Sequence, residues 1–143
     1  MTTFLLWSHP IMQCIAILAG LFALWQGFKR FLMSRGKKVM FPWKTHVKLG
    51  TIALVLWIIG LTGFIATYFA FKVTHVTGIH ANLAIAIAIL AVFGLVTGFI
   101  MNKYKKRRKV LPLVHGIANV ILLVLVLVQG YVGVAMVGDF LLG

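Results

Sequence analysis

Thr77-Gly-Ile-His80-Ala-Asn-Leu-Ala-Ile-Ala-Ile-Ala-Ile-Leu-Ala-Val-Phe-Gly94-Leu-Val-Thr-Gly98-Phe-Ile-Met101 decides the fold. The run is apolar and long enough to cross a bilayer as a helix. It carries one histidine in its first turn. An ionisable side chain inside such a span is costly and points to a function with a partner. Three more apolar spans repeat the arrangement, opening with His9, His46 and His115. The pattern predicts spans over 7–28, 43–71, 78–101 and 112–137, joined by short polar connections. Short connections make consecutive helices antiparallel neighbours. The expected fold is therefore an all-α, up-down four-helix bundle in a membrane.

Composition agrees. Of 143 residues, 62% are hydrophobic and only 10% charged, against roughly 25% charged in soluble domains. One membrane domain over 1–143 accounts for the chain. Cys14 stands alone, and no Cys-x-x-Cys-His is present for covalent haem attachment. The first apolar stretch lacks a basic leader and a small-residue cleavage site, so it reads as a retained span, not a secretory signal. Ser8 is the expected N-cap of that span, with Pro10 in its first turn.

The net charge of +13 does not indicate nucleic acid. Thirteen of the fourteen basic residues lie in two segments, Lys29 to Lys48, which runs into the start of the second span, and Lys103 to Lys109. Lysine and arginine accumulate in cytoplasmic loops, where anionic lipid supplies counter-charge. Both basic segments are thus expected in the cytoplasm. The termini and the connection over 72–78 are expected on the other side, in a multi-pass protein of the bacterial inner membrane.

On this topology His9 and His80 open spans at the non-cytoplasmic face, and His46 and His115 at the cytoplasmic face. First and third helices are diagonal in an up-down bundle, as are second and fourth. Each pair can therefore face across the axis. Two facing imidazoles can ligate haem iron on both sides of the macrocycle, an arrangement suited to electron transfer. Without carboxylate or thiolate beside them, and with the pairs far apart, a shared bare metal ion is a poorer reading. Gly60 and Gly94 each follow a histidine by fourteen residues, which returns to nearly the same helix face. They are candidates for small surfaces facing a macrocycle, although glycine also serves simple helix packing.

The motifs Ser8-His9-Pro10-Ile11-Met12, Lys44-Thr45-His46, Gly78-Ile79-His80-Ala81 with Gly94 and Gly98, and Pro112-Leu113-Val114-His115-Gly116 together resemble the cytochrome b561 family. The likeness is to the central four of that family's usual six helices. It covers nearly the whole chain, and His-Pro-x-x-Met is its most specific element. Where the family has Ser-Leu-His-Ser, this chain has Gly-Ile-His-Ala. The resemblance implies two haem b groups, the non-cytoplasmic one on His9 and His80 and the cytoplasmic one on His46 and His115. It implies transmembrane electron transport from a small reductant such as ascorbate to an oxidised acceptor, as an oxidoreductase of ferric or monodehydroascorbate reductase type, and a homodimer. Lys37, Lys38, Lys44 and Lys48 are candidates for a basic rim that meets the anionic reactant.

Other readings are compatible with the same spans. One is a quinone-linked cytochrome b subunit that works with quinol and a redox partner protein. Another is a non-redox scaffold or transporter, and a third an anchoring subunit that has kept the helices without the cofactors. His75 lies five residues before His80. It is a candidate donor contact or proton-exchange group, with an exposed loop histidine as the simpler reading.

Overall fold

A computed structural model of the chain describes residues 2–72 and 78–138. Helix α1 covers Thr2–Ser34. Helix α2 covers Trp43–Ile59, a 3-10 turn follows over Gly60–Thr62, and α3 covers Gly63–Phe71. Helical dihedrals continue through the turn, from Ile59 (φ −60°, ψ −28°) to Gly63 (φ −55°, ψ −33°). The three pieces therefore form one second span. Helix α4 covers Ile79–Lys103 and α5 covers Val110–Val137. No strand occurs among the described residues.

The predicted spans are present, but α1 is longer at both ends. It begins at Thr2, so Ser8 is not its N-cap and Pro10 lies inside the helix. No glycine or proline stands between Thr2 and Ser8 to stop the helix, and Pro10 is accommodated within it. At the other end Lys29 and Arg30 lie on the helix, because nothing between Phe28 and Ser34 breaks it. Gly36 does, at φ +79°. Its N–H donates to the Met33 carbonyl at 3.1 Å, and the Lys37 N–H donates to Leu32 at 3.1 Å. This double closure is the Schellman motif, which needs a left-handed residue at that position.

The helices pack as a square in the order α1, second span, α4, α5 and back to α1. Helix α1 is therefore diagonal to α4, and α2 to α5. Neighbours are antiparallel: Gly27 near the end of α1 lies beside His46 near the start of α2, and Gly63 lies beside His9. The two basic segments consequently share one end of the bundle, called here the basic end. The start of α1 and the end of α3 mark the far end.

Between the ends the interior is apolar and closely packed. Alanines line it at Ala16, Ala19, Ala53 and Ala91, around Leu54, Trp57, Ile87, Leu122, Leu123 and Val126. Small residues let helix backbones approach where no hydrophobic force separates helix from lipid. The outward faces are equally apolar. Ile11, Ile15, Leu18 and Phe22 on α1 are exposed, as are Ile85, Ile89, Val96 and Phe99 on α4 and Ile117, Ile121, Val124 and Val128 on α5. Helices apolar on every side suit a lipid solvent. All four spans are long and apolar enough to cross a membrane, and the chain is an integral membrane protein.

Trp57 fills the middle of the bundle because Gly20 leaves a notch for it. A Cβ on Gly20 would stand 2.6 Å from the indole Cη2. Gly20→Val is expected to lower stability by about 1–3 kcal/mol through overpacking. Thermal unfolding in detergent checks this, and an unchanged midpoint would mean that the indole is not held in that notch.

Candidate functional site

Each span places one imidazole inside the bundle. At the far end His9 on α1 faces His80 on α4, with ring centroids 6.4 Å apart and planes at 66°. At the basic end His46 on α2 faces His115 on α5, with centroids 6.4 Å apart and planes at 73°. The partners lie on diagonal helices in both cases. All four side chains are half-buried.

Each ring lies against a glycine of the antiparallel helix in its own hairpin. A Cβ built on Gly27 would come within 3.2 Å of the His46 ring, and one on Gly63 within 3.1 Å of His9. The second hairpin repeats this, with 3.4 Å from Gly98 to His115 and 3.3 Å from Gly133 to His80. An added Cβ would press on the ring at Gly27, Gly63 and Gly133 and would touch it at ordinary contact distance at Gly98. One hairpin thus positions one member of each histidine pair, and the other hairpin supplies the other member.

The spacing explains how a single helix serves both ends. His9 to Gly27, His80 to Gly98 and His115 to Gly133 are each 18 residues. Eighteen residues make five full turns and rise about 27 Å, so histidine and glycine share a face at opposite ends. His46 to Gly63 is 17. There the 3-10 turn over Gly60–Thr62 intervenes. A 3-10 segment turns faster and rises about 2 Å per residue, which recovers most of the missing rotation and the missing rise. The interruption keeps the second span in phase with the other three.

Gly60 and Gly94 lie one turn short of these contacts. A Cβ on Gly60 would run into the Gln13 amide, and one on Gly94 into Asn119 and Leu54. Lys37, Lys38, Lys44 and Lys48 are exposed at the basic end. His75 lies outside the described residues.

Hydrogen bonds orient the rings at the basic end. The His46 Nδ1–H donates to the Ala23 carbonyl at 2.9 Å. At 2.7 Å from His115 Nδ1 lies Thr97 Oγ1, which is also 2.7 Å from the Phe93 carbonyl. One arrangement gives every proton an acceptor: the hydroxyl donates to Phe93 and accepts the His115 Nδ1–H. The Asn119 amide donates to the His115 carbonyl at 2.7 Å, much closer than its 3.4 Å approach to Nδ1. Both rings therefore carry the proton on Nδ1 and a lone pair on Nε2. At the far end the Nδ1 atoms of His9 and His80 are sealed from solvent without a hydrogen-bond partner among the described residues.

The geometry suits a metal held between two rings. Metal–imidazole bonds of about 2.0 Å on opposite sides of one ion set ring centroids about 6 Å apart. No group of three or more His, Cys, Asp or Glu side chains able to hold a metal ion occurs among the described residues. Each end thus offers two imidazole donors facing one another, with a glycine in place of a larger side chain beside every ring.

No family model, no curated protein and no solved structure matches the chain.

Gly27, Gly133, Thr97 and Asn119 were not singled out by sequence reasoning. The shared His-to-Gly spacing was the available signal for the glycines. Nothing local in the sequence marked Thr97, which meets His115 only across two helices. In ¹⁵N-histidine-labelled protein, His46 and His115 are expected as the Nδ1–H tautomer. Imidazole nitrogen shifts report this directly, and Nε2-protonated rings would contradict the hydrogen-bond assignment.

Proposed function

We propose that the chain is a transmembrane electron-transfer cytochrome with two haem b groups, one between His9 and His80 and one between His46 and His115. The observation that carries this reading is the 6.4 Å centroid separation found at both ends, which is the span of two imidazoles on one iron. The resemblance of the histidine motifs to the cytochrome b561 family supports it independently. When bound, each haem supplies a one-electron iron couple with both axial positions filled, which favours electron transfer over oxygen chemistry.

The chain's own residues do the rest. His9, His80, His46 and His115 would hold the haem irons, and Gly27, Gly63, Gly98 and Gly133 leave room beside the rings. Arg108 at the basic end has an enclosed Nη1 without a hydrogen-bond partner, a cation suited to a haem carboxylate. The apolar layer around Trp57, Leu54, Ile87 and Leu122 keeps water and ions out of the space between the sites. The positive-inside rule makes the basic end cytoplasmic, in a bacterial inner membrane. Exposed Lys37, Lys38, Lys44 and Lys48 raise the local concentration of an anionic reactant such as ascorbate. The activity is then that of an oxidoreductase passing electrons to an acceptor across the membrane.

A pyridine haemochrome assay on purified protein is expected to give about two haems per chain, because each bis-imidazole site takes one. His80→Ala and His115→Ala are each expected to lose one. Two haems retained in either variant would refute the ligand assignment, and colourless protein after expression with ample haem would refute the cytochrome reading. Reduction by quinol and not by ascorbate would move the protein to the quinone-linked class.

A further inference from the structure

The two sites differ in how their imidazoles are held. Both rings at the basic end have Nδ1 hydrogen-bonded, His46 to the Ala23 carbonyl and His115 to Thr97. Neither ring at the far end does, among the described residues. Thr97 is a buried polar side chain of the bundle, only 5% exposed, and joins α4 to α5 near the basic end. Its hydroxyl bonds back to the Phe93 and Gly94 carbonyls at 2.7 and 3.2 Å, which aims an oxygen lone pair at His115.

We propose that Thr97 is a positioning residue that sets the reduction potential of the basic-end site, through His115 and independently of the far-end site. The inference rests on the haem reading above. A ligating imidazole that donates its other N–H to an acceptor is fixed in tautomer and ring orientation and becomes a more basic ligand. A more basic axial ligand stabilises ferric over ferrous iron and lowers the potential. The Thr97 oxygen is a strong acceptor because its own proton is committed to Phe93, and chained hydrogen bonds polarise one another. Asn119 does not replace it, because the atom it brings to 3.4 Å from Nδ1 is the amide nitrogen, a donor that cannot accept the Nδ1 proton. No such bond is made by Nδ1 of His9 or His80 among the described residues, so the two sites are unequal.

Redox titration followed by haem absorbance tests this, with single-haem backgrounds to keep the sites apart. In a His80→Ala background, which retains the basic-end site, Thr97→Val is expected to raise the potential. The expected size is about a tenfold higher ratio of reduced to oxidised haem at fixed ambient potential, which is 59 mV for a one-electron couple. Thr97→Ala carries the same expectation should the valine variant fail to accumulate. Thr97→Ser keeps the hydroxyl and is expected to titrate as the parent. In a His115→Ala background, which retains the far-end site, all three substitutions are expected to be silent. Two properly loaded sites with an unmoved basic-end potential would overturn the proposal and leave the cytochrome reading standing. A shift shared equally by both sites would also overturn it. Absence of haem from the unsubstituted protein would remove the reading on which it rests.

Discussion

An imidazole ring set against a glycine on the antiparallel neighbour is the contact around which this bundle is arranged. It occurs four times, at Gly27–His46, Gly63–His9, Gly98–His115 and Gly133–His80. Each contact brings a polar ring into an interior otherwise filled by alanine, leucine and isoleucine. Each also fixes the longitudinal register of a hairpin, since a slip of one turn would set a side chain against the ring. The five-turn spacing couples the two ends: a helix correctly seated at its histidine is correctly seated at its glycine. The 3-10 turn in the second span belongs to the same constraint, absorbing one missing residue without rotating Gly63 away from His9.

This arrangement divides labour between hairpin and bundle. Contacts within a hairpin set where each ring stands, and the meeting of the hairpins sets how far apart paired rings lie. A pseudo-two-fold relation carries α1 onto α4 and the second span onto α5, and so sets each histidine opposite its counterpart at the same end. Between the two levels, the Trp57 layer is apolar and tightly filled. On the proposed reading that layer separates two redox sites by protein packing alone.

Most of the architecture was legible in the sequence because lipid imposes so narrow a grammar. Four long apolar runs, short connections and basic segments in alternation specify an antiparallel four-helix bundle, and its diagonals follow from chain order. The pairing of His9 with His80 and of His46 with His115 was legible for the same reason. The ends of α1 were not, since helix and bilayer need not stop together: Lys29 and Arg30 leave the apolar run while remaining helical. The second shell was also hidden. A fourteen-residue spacing drew attention to Gly60 and Gly94, whereas the rings lie against glycines one turn further along. Thr97 is an unremarked residue of an apolar run until α5 is packed against it.

The pseudo-two-fold axis runs along the bundle, between the members of each histidine pair. Rotation about that axis exchanges the two rings and so exchanges the two faces of whatever is held between them. A flat ligand with unlike faces can then enter in two orientations that the pocket scarcely tells apart. At the far end, where neither Nδ1 is hydrogen-bonded among the described residues, the two insertion isomers would be close in energy. At the basic end a carbonyl on one side and a hydroxyl on the other make the halves chemically distinct. Symmetry that eases assembly of the bundle therefore carries a cost in stereochemical definition, and the polar substitution on one helix restores handedness at one end only.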